Sequence, residues 1–441
     1  MSRTFTRKSL YISLFLIPAF FSGCLTEPVL QKAQLGDIRA FRYVALGDGY
    51  TAGMSNSLPE SRSPVGLYEE AQEVSFAHLL ANQLSMAVPV DFVTHPATGS
   101  GSGFRKVVKL MPPLCDFLAP EPLFAHFEAT AGWGHPPESG VFVNNRGVPH
   151  LRVSQLLNPS SLTGNIFFKR LNSGGCTDYV CLSSEGKPDF FTLWLGVHDV
   201  LDYAMSGATR TEFAPTPVED FGRAYAYLLD SLFAAGDPSL KGVVGNIPDI
   251  TYFPYFEAIN PQFVAIENCL AARQDVYIKT HDGTTRVATL LDRLLLPAKD
   301  AIGTANGMPG SLGLHPQNPL PDQWVLDKEE VLEIQEIISG YNAAIDSVVG
   351  LKNAGFLFPA IAQVDLYHEF SALDRGLTVD GLRLSGEYME GGVFSTEGIY
   401  LTPRGNAWLA NLWIDAINEF VSYRAHLSPI NLSDYPGVVF P

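Results

Sequence analysis

The sequence predicts an α/β fold of three layers, in which a parallel sheet carries helices on both faces. Apolar runs such as DFFTLWLGV (189–197) and KGVVGNIPDI (241–250) have the continuous hydrophobicity of strands that are buried on both sides. Amphipathic helical patterns separate such runs, among them 218–236, which ends at a glycine, and 406–425 near the C-terminus. Strands that alternate with helices favour a parallel sheet.

The remaining predicted strands and helices continue this alternation, which two longer segments interrupt. Further strands are expected at 42–49, 88–93 and within 355–367, and further helices at 74–84 and 327–350. Residues 104–143 are rich in Pro, Gly and aromatic residues, and 257–325 combine a helix-like run with a Pro- and Gly-rich loop. We interpret both as insertions on one domain of residues 41–441, placed to wall the cleft at the carboxyl ends of the strands.

Composition limits the classes of partner. Of 441 residues, 46% are hydrophobic and 17% charged, which is enough apolar material for a large core. The net charge of −17 argues against nucleic acid, because binding to phosphates requires clustered Lys and Arg. No internal stretch is long and apolar enough to span a bilayer. We expect no cofactor.

The N-terminus has the pattern of an export signal. Basic residues within the first eight positions precede the apolar run 11–21, and small residues then lead to Cys24. This order resembles the bacterial lipoprotein signal, although a phenylalanine stands where leucine is usual. We therefore expect a signal peptide at 1–23 and a lipidated Cys24 with a tether at 24–40. Leu25, where inner-membrane lipoproteins carry Asp, favours the outer membrane by analogy. The alternative is an ordinary signal peptide with Cys24 incidental.

The other cysteines suggest one disulfide. Cys176 and Cys181 flank the short segment TDYV, a spacing that could close a small loop in an oxidising compartment. No Cys-x-x-Cys pair with a nearby histidine accompanies them, so binding of a metal by these cysteines is not expected.

Several motifs together resemble one hydrolase family. They are ALGDGYTAG (45–53), NNRGVPH (144–150), FFTLWLGVHDVLDYA (190–204), NIPDITYFPYF (246–256) and GGVFSTEGIYLTPRGNAWLANLWIDAIN (391–418). In this order they resemble the SGNH/GDSL hydrolases, and most closely the lipoprotein members of Bacteroidetes-type bacteria. The resemblance implies a flavodoxin-like sheet and a cleft built for attack of a serine on an acyl ester.

The resemblance also shows that the nucleophile and the base are substituted. The family's serine follows Gly-Asp in the first motif, and here that position is Gly49. The family's Asp-x-x-His pair corresponds to Glu397 and Tyr400. Glutamate serves in some triads. A phenol with a pKa near ~10 does not accept a proton at neutral pH, and glycine has no nucleophile to activate.

The groups that would stabilise the oxyanion are substituted as well. The glycine of the second motif corresponds to His150. The asparagine of the third motif corresponds to His198, or to Val197 if the register shifts by one place. The surrounding frame is kept, including Gly47 and Asp48. Because only the reacting groups are substituted, we predict that the protein uses this fold without hydrolysing esters.

We therefore expect an outer-membrane lipoprotein without esterase activity, with a binding or structural role. Its cleft would be lined by five residues: Asp48, His150, His198, Glu397 and Tyr400. The expected partners are the membrane through the lipid on Cys24, and a glycan, an acyl chain or an outer-membrane protein complex. We expect no metal.

Two alternatives stay open at this stage. An active hydrolase could use Thr51 as nucleophile with His150 or His198 as base. A metal-binding protein could instead hold a divalent ion in the cleft with Asp48, His150, His198 and Glu397.

Overall fold

The computed structural model of the chain describes eight ranges of residues. They are 32–55, 67–95, 107–111, 121–124, 141–162, 164–172, 175–261 and 275–440. Cys24, the expected signal segment and much of the first insertion lie outside them, as do Cys115 and Cys269. From Ala33 onward the chain forms one unit.

A five-stranded parallel sheet forms the centre of this unit. Its strands are β1 (Tyr43–Gly47), β2 (Asn145–Gly147), β3 (Phe190–Trp194), β4 (Lys241–Gly245) and β5 (Ile361–Val364). Their order across the sheet is β5-β4-β3-β1-β2, with every pair parallel. All residues of β1 and β3 are buried, as their continuous apolar sequences predict. The chain is therefore α/β with a parallel sheet.

Helices cover both faces of the sheet. They are α1 (Gly49–Ala52), α2 (Glu69–Glu73), α3 (Phe76–Ser85), α4 (Ile166–Leu171), α5 (Tyr179–Ser184), α6 (His198–Met205), α7 (Val218–Ala235), α8 (Pro254–Glu257), α9 (Lys328–Ala354), α10 (Leu366–Ala372) and α11 (Pro403–Glu419). Phe191 of β3 contacts Phe233 of α7, whereas Trp194 contacts Phe76 of α3. Because alternate residues of a strand point to opposite faces, α7 and α3 lie on opposite sides. Helix α9 packs on α7, and α11 packs on α3.

The two long helices that follow the second insertion begin at clear caps. The Asp327 side chain accepts from the backbone N–H of Glu330, and the Glu330 side chain accepts from that of Asp327. This reciprocal pair satisfies donors that the first turn of α9 would otherwise leave free. Helix α11 begins with Pro403 after Thr402, whose hydroxyl oxygen accepts from the Gly405 N–H.

Short strand pairs and 3-10 helices occupy the connections. The pairs are Val107–Met111 with Glu121–Phe124, Tyr277–Lys279 with Thr285–Val287, Arg293–Leu294 with Val325–Leu326, and Leu377–Val379 with Leu382–Leu384. The 3-10 helices are Val153–Leu157, Pro159–Leu162, Thr211–Phe213, Ile250–Tyr252, Leu296–Ala298, Asp322–Trp324 and Leu432–Asp434. Part of the second insertion has its own small apolar cluster, which includes Ile278, Leu294 and Leu320.

Two predicted elements differ from the structure. Residues 88–93 form no strand; Val93 instead donates to the side chain of Asn144 (2.8 Å) and accepts from its backbone N–H (2.9 Å). The edge strand beside β1 is instead β2, which is too short to show a hydrophobic periodicity in the sequence. The helix expected after Arg286 is also absent, because that backbone pairs as Thr285–Val287 and Arg293–Leu294.

The disulfide suggested by spacing is present in the loop before α5. Cys176 and Cys181 are bonded, with their Cα atoms 5.4 Å apart. Within the described ranges, none of the helices has both the length and the apolar character needed to cross a bilayer.

The start of the described chain and the candidate site lie at opposite edges of the sheet. Gln34 pairs with His426, and Asp37 forms an ion pair with Arg424. The neighbouring Tyr423 hydroxyl bonds the carbonyl of Ala360, just before β5 begins. This is the amino-terminal edge of the strands. The sequence motifs follow the carboxyl ends, where ligands bind in open α/β sheets.

Candidate functional site

The turn between β1 and α1 carries the first motif. Gly47 has φ +153°, and a Cβ there would lie 2.2 Å from the Trp194 carbonyl oxygen, so only glycine fits. The Asp48 carboxylate then caps α1 by accepting from the Tyr50 N–H at 3.1 Å. The strand, turn and helix therefore place position 49 at the carboxyl edge of the sheet.

Gly49 lies directly against the hydroxyl group of Tyr400. A Cβ built on Gly49 would be 2.7 Å from Tyr400 Oη and 2.9 Å from the sulfur of Met54. The two positions that correspond to nucleophile and base are thus neighbours, but they offer a hydrogen atom and a phenol. Tyr400 is 1% exposed, and its burial raises its pKa well above 10. It therefore remains protonated at neutral pH.

His198 is the first residue of α6 and is almost fully buried. Its Nε2 lies 3.2 Å from Tyr400 Oη, and its Nδ1 lies 3.2 Å from Asp202 Oδ1. The contact with Tyr400 places His198 close to Gly49. Val197, the residue of the shifted register, is the buried cap of α6 and makes no side-chain capping bond.

His150 reaches the same cluster from the loop after β2. Its backbone has φ +59°, in the left-handed region that glycine occupies at little cost. Its ring centroid lies 4.8 Å from that of His198, and its Nδ1 is 3.5 Å from Asp202 Oδ1. Its side chain is 48% exposed, so it forms the solvent side of the cluster.

Asp202 is the site residue that the sequence analysis missed. It lies one helical turn after His198 on α6, and the i,i+4 spacing within HDVLD carried that signal. Its carboxylate faces both imidazoles, while its side chain is 15% exposed. Nothing in its local sequence indicates that His150, from a different loop, also meets it.

Asp199 holds the two histidine-bearing segments together. It is completely buried, and its Oδ2 accepts from the Val153 N–H at 2.7 Å. Its Oδ1 accepts from the Thr216 hydroxyl group. Because Val153 follows His150 closely, these bonds fix α6 against the loop that carries His150.

Glu397 lies buried beside Tyr400, and its described bond is to the backbone. It is 2% exposed, and its Oε1 accepts from the Tyr400 N–H at 2.9 Å. It therefore shapes the turn that presents Tyr400. The predicted cleft residues Asp48, His150, His198, Glu397 and Tyr400 thus lie in one region of the structure.

The directions of the pKa shifts in the cluster favour a charged pair of His198 and Asp202. Burial lowers the pKa of His198, but the carboxylates of Asp202 and Asp48 more than offset this, and the net pKa is raised. Burial alone would raise the pKa of Asp202, yet His198 and His150 hold it far below its usual value. Burial raises the pKa of Asp48 to about 6. These directions favour a charged Asp202 and a protonated His198.

Thr51 is turned away from the cleft. Its hydroxyl group donates to the Leu46 carbonyl of β1 at 3.4 Å, and a Cβ on Gly47 would lie 2.3 Å from its oxygen. Thr51 is fully buried. Its hydroxyl group therefore faces the strand behind the turn, where the cleft histidines do not reach it.

Two groups of described residues have donors suited to a metal ion. His150, His198 and Asp202 each offer one atom within 4.8 Å of the others, and so do His281, Asp327 and Glu329. The first group occupies the cleft. The second lies at the start of α9, where Asp327 caps the helix.

Comparison with family models, with curated proteins and with solved structures found no match to this chain.

Proposed function

We propose that this chain is a member of the SGNH/GDSL hydrolase fold that has lost hydrolysis and uses its cleft for binding. The strand order β2-β1-β3-β4-β5 is that of flavodoxin-like sheets. The three motifs that resemble the family's first, second and third blocks follow β1, β2 and β3 at one edge. That arrangement supports the proposal independently of the residues that were substituted.

The contact between Gly49 and Tyr400 is the observation that best supports the proposed loss of hydrolysis. Acyl transfer requires a nucleophile, a base that removes its proton and donors for the oxyanion. The first two positions hold glycine and a buried phenol whose hydroxyl group fills the space beside it. The nearest alternative hydroxyl group, that of Thr51, is bonded to the β1 backbone.

Export and lipid anchoring complete the proposal. The basic residues, the apolar run and Cys24 support a lipoprotein signal, and Leu25 supports an outer-membrane destination. The proposed ligand of the cleft is a glycan, an acyl chain or an outer-membrane protein complex. No cofactor is required for such a role.

An ester assay tests the loss of hydrolysis. Wild type and Thr51→Val are compared on p-nitrophenyl acetate and butyrate at equal folded concentration. We expect both to match the uncatalysed rate. Turnover by wild type that Thr51→Val removes would overturn the proposal in favour of an active hydrolase.

A purification from native membranes tests the binding role. His150→Trp fills the solvent side of the cleft, while His281→Trp places the same bulk at another half-exposed histidine. We expect a component that copurifies with wild type and with His281→Trp but not with His150→Trp. Equal recovery with all three proteins would show that the cleft does not hold it.

A further inference from the structure

The cluster in the cleft has the spacing of a metal site. His198 Nδ1 and His150 Nδ1 lie 3.2 Å and 3.5 Å from the same oxygen, Asp202 Oδ1. Nitrogen and oxygen ligands at about 2.0–2.2 Å from one tetrahedral ion are separated by about 3.3–3.6 Å. All three donor atoms lie within 4.8 Å of one another, so shifts of the side chains that bring the two imidazole nitrogens to this separation would let the three share an ion.

The contacts around His198 fit a ligating imidazole. Metal-bound histidines usually donate their second ring N–H to an oxygen, which fixes the tautomer and the ring orientation. With Nδ1 directed at an ion, Nε2 carries the hydrogen and donates to Tyr400 Oη at 3.2 Å. The Tyr400 backbone N–H donates to Glu397 Oε1, and this bond fixes the turn that carries Tyr400.

A separate observation is a buried carboxylate oxygen near this cluster that has no hydrogen-bond partner among the described residues. Asp48 is completely buried, and no described residue donates to its Oδ2. The residue that follows it, Gly49, lies against Tyr400 Oη, which contacts His198. A buried carboxylate oxygen without a partner is costly, and a nearby cation would offset that cost.

We infer that the cleft binds a divalent first-row transition-metal ion, with His150 Nδ1, His198 Nδ1 and Asp202 Oδ1 as ligands. Two imidazoles and one carboxylate are the donors that zinc and its neighbours prefer. The half-exposed His150 leaves the fourth coordination position open to solvent or to a ligand. This inference stands on the contacts themselves and does not rest on the family resemblance.

A zinc titration tests the site. The full-length chain, purified in detergent and freed of metal with a chelator, is titrated with zinc chloride by calorimetry. We expect one ion per chain and a rise in Tm on addition of zinc. His150→Ala, a change at a half-exposed position, should weaken binding at least 10-fold, and Asp202→Asn should do the same where it folds.

His281→Ala is the matched control, because His281 belongs to the other cluster with metal donors. It should bind zinc like wild type. Absence of a zinc signal in wild type, unchanged affinity in His150→Ala, or loss of binding in His281→Ala would each overturn the inference. The ester assay has a separate readout, so failure of the zinc site and failure of the proposed loss of hydrolysis are distinguishable.

Discussion

His150 keeps a glycine backbone conformation while it carries a large side chain. A left-handed φ of +59° costs a residue with a Cβ about 1–2 kcal/mol relative to glycine. The strain persists because the imidazole contacts Asp202 and packs against His198. Strained backbone of this kind concentrates at functional sites.

A pair of variants at this position separates backbone strain from side-chain contact. Both His150→Gly and His150→Ala remove the imidazole, but only glycine relieves the left-handed conformation. We expect His150→Gly to be more stable than His150→Ala by about 1 kcal/mol in urea unfolding. Equal stabilities would mean that the loop relaxes and that the conformation stores no strain.

Placing a serine at position 49 should not produce hydrolysis by itself. In Gly49→Ser the new Cβ meets Tyr400 Oη at 2.7 Å, so the ring must move, at a cost of about 1–3 kcal/mol. The hydroxyl group would still face a phenol that does not take its proton. We expect the rate of p-nitrophenyl acetate hydrolysis to stay at background.

We expect ester hydrolysis to appear only when further substitutions are added to Gly49→Ser. Adding Tyr400→His supplies a base, but His150 and His198 still occupy the oxyanion positions, and one missing donor costs about 10²–10³ in rate. The quadruple variant, with His150→Gly and His198→Asn added, should be the first above background in initial rate. Clear activity of the single variant would contradict this order.

At this scale the residues selected from the sequence lie close together in the structure, and what the sequence missed has a physical cause. The resemblance to a hydrolase family, rather than any local strand or helix pattern, indicated Gly49, His198 and Tyr400. The i,i+4 spacing of Asp202 to His198 is visible in the sequence, but its second contact, with His150 from a distant loop, leaves no local pattern. The left-handed conformation of His150 was equally invisible, since histidine rarely adopts it.

Among the elements, two buried carboxylates fasten the second insertion to the start of α9: Asp327 accepts from the His281 N–H at 3.0 Å, and Asp292 makes the larger set of bonds. Asp292 is 1% exposed and accepts two bonds from the Arg286 guanidinium, at 2.6 Å and 2.7 Å. It also accepts from the N–H groups of Thr289 and Lys328, the first residue of α9. Burial would raise the pKa of Asp292, but Arg286 and these donors lower it below its usual value.

Removing this charge should destabilise the chain in a way that depends on pH. A carboxyl group with a depressed folded pKa contributes stability above its unfolded pKa of about 3.9 and loses it as pH falls through the folded value. We expect Asp292→Asn to cost about 3–5 kcal/mol at pH 7 and progressively less below pH 4. Urea midpoints at pH 7, 5 and 3 measure the difference.

The exposed pair of Asp220 and Arg223 provides the control for that experiment. Asp220→Asn should change stability by less than about 1 kcal/mol at each pH, because exposed ion pairs contribute little. A constant difference between wild type and Asp292→Asn from pH 7 to pH 3 would contradict the assigned cause.

The prediction of secondary structure succeeded for strands that are buried along their whole length. It failed where short strands pair with a neighbouring segment. The runs that became β1, β3 and β4 are mostly apolar, with Thr192 in β3 and Lys241 at the start of β4 as the exceptions, and this pattern fits strands covered on both faces. Residues 290–297 also contain many leucines, yet Leu290 and Leu291 are exposed and the neighbouring backbone pairs as strands. The hydrophobicity of this segment alone therefore did not determine whether it forms a helix or a strand.

For the whole molecule, the anchoring prediction concerns a residue outside the described ranges. Cys24→Ser should move the protein from the membrane fraction to the soluble fraction, because the thiol that would carry the lipid is gone. Cys176→Ser, which removes a disulfide cysteine instead, should leave the protein in the membrane fraction. Fractionation with immunoblotting measures both, and sedimentation of Cys24→Ser with membranes would contradict lipid anchoring.

The pairing of Gln34 with His426 places the start of the described chain at the amino-terminal ends of the sheet strands. If the chain is anchored at Cys24, about ten residues separate the anchor from this pairing. They span at most about 36 Å when fully extended. The candidate site follows the carboxyl ends of the strands, whereas Gln34 joins the fold at their amino-terminal ends. An attachment that precedes Gln34 would therefore enter the folded unit at the end of the sheet opposite to His150, the exposed residue of the site.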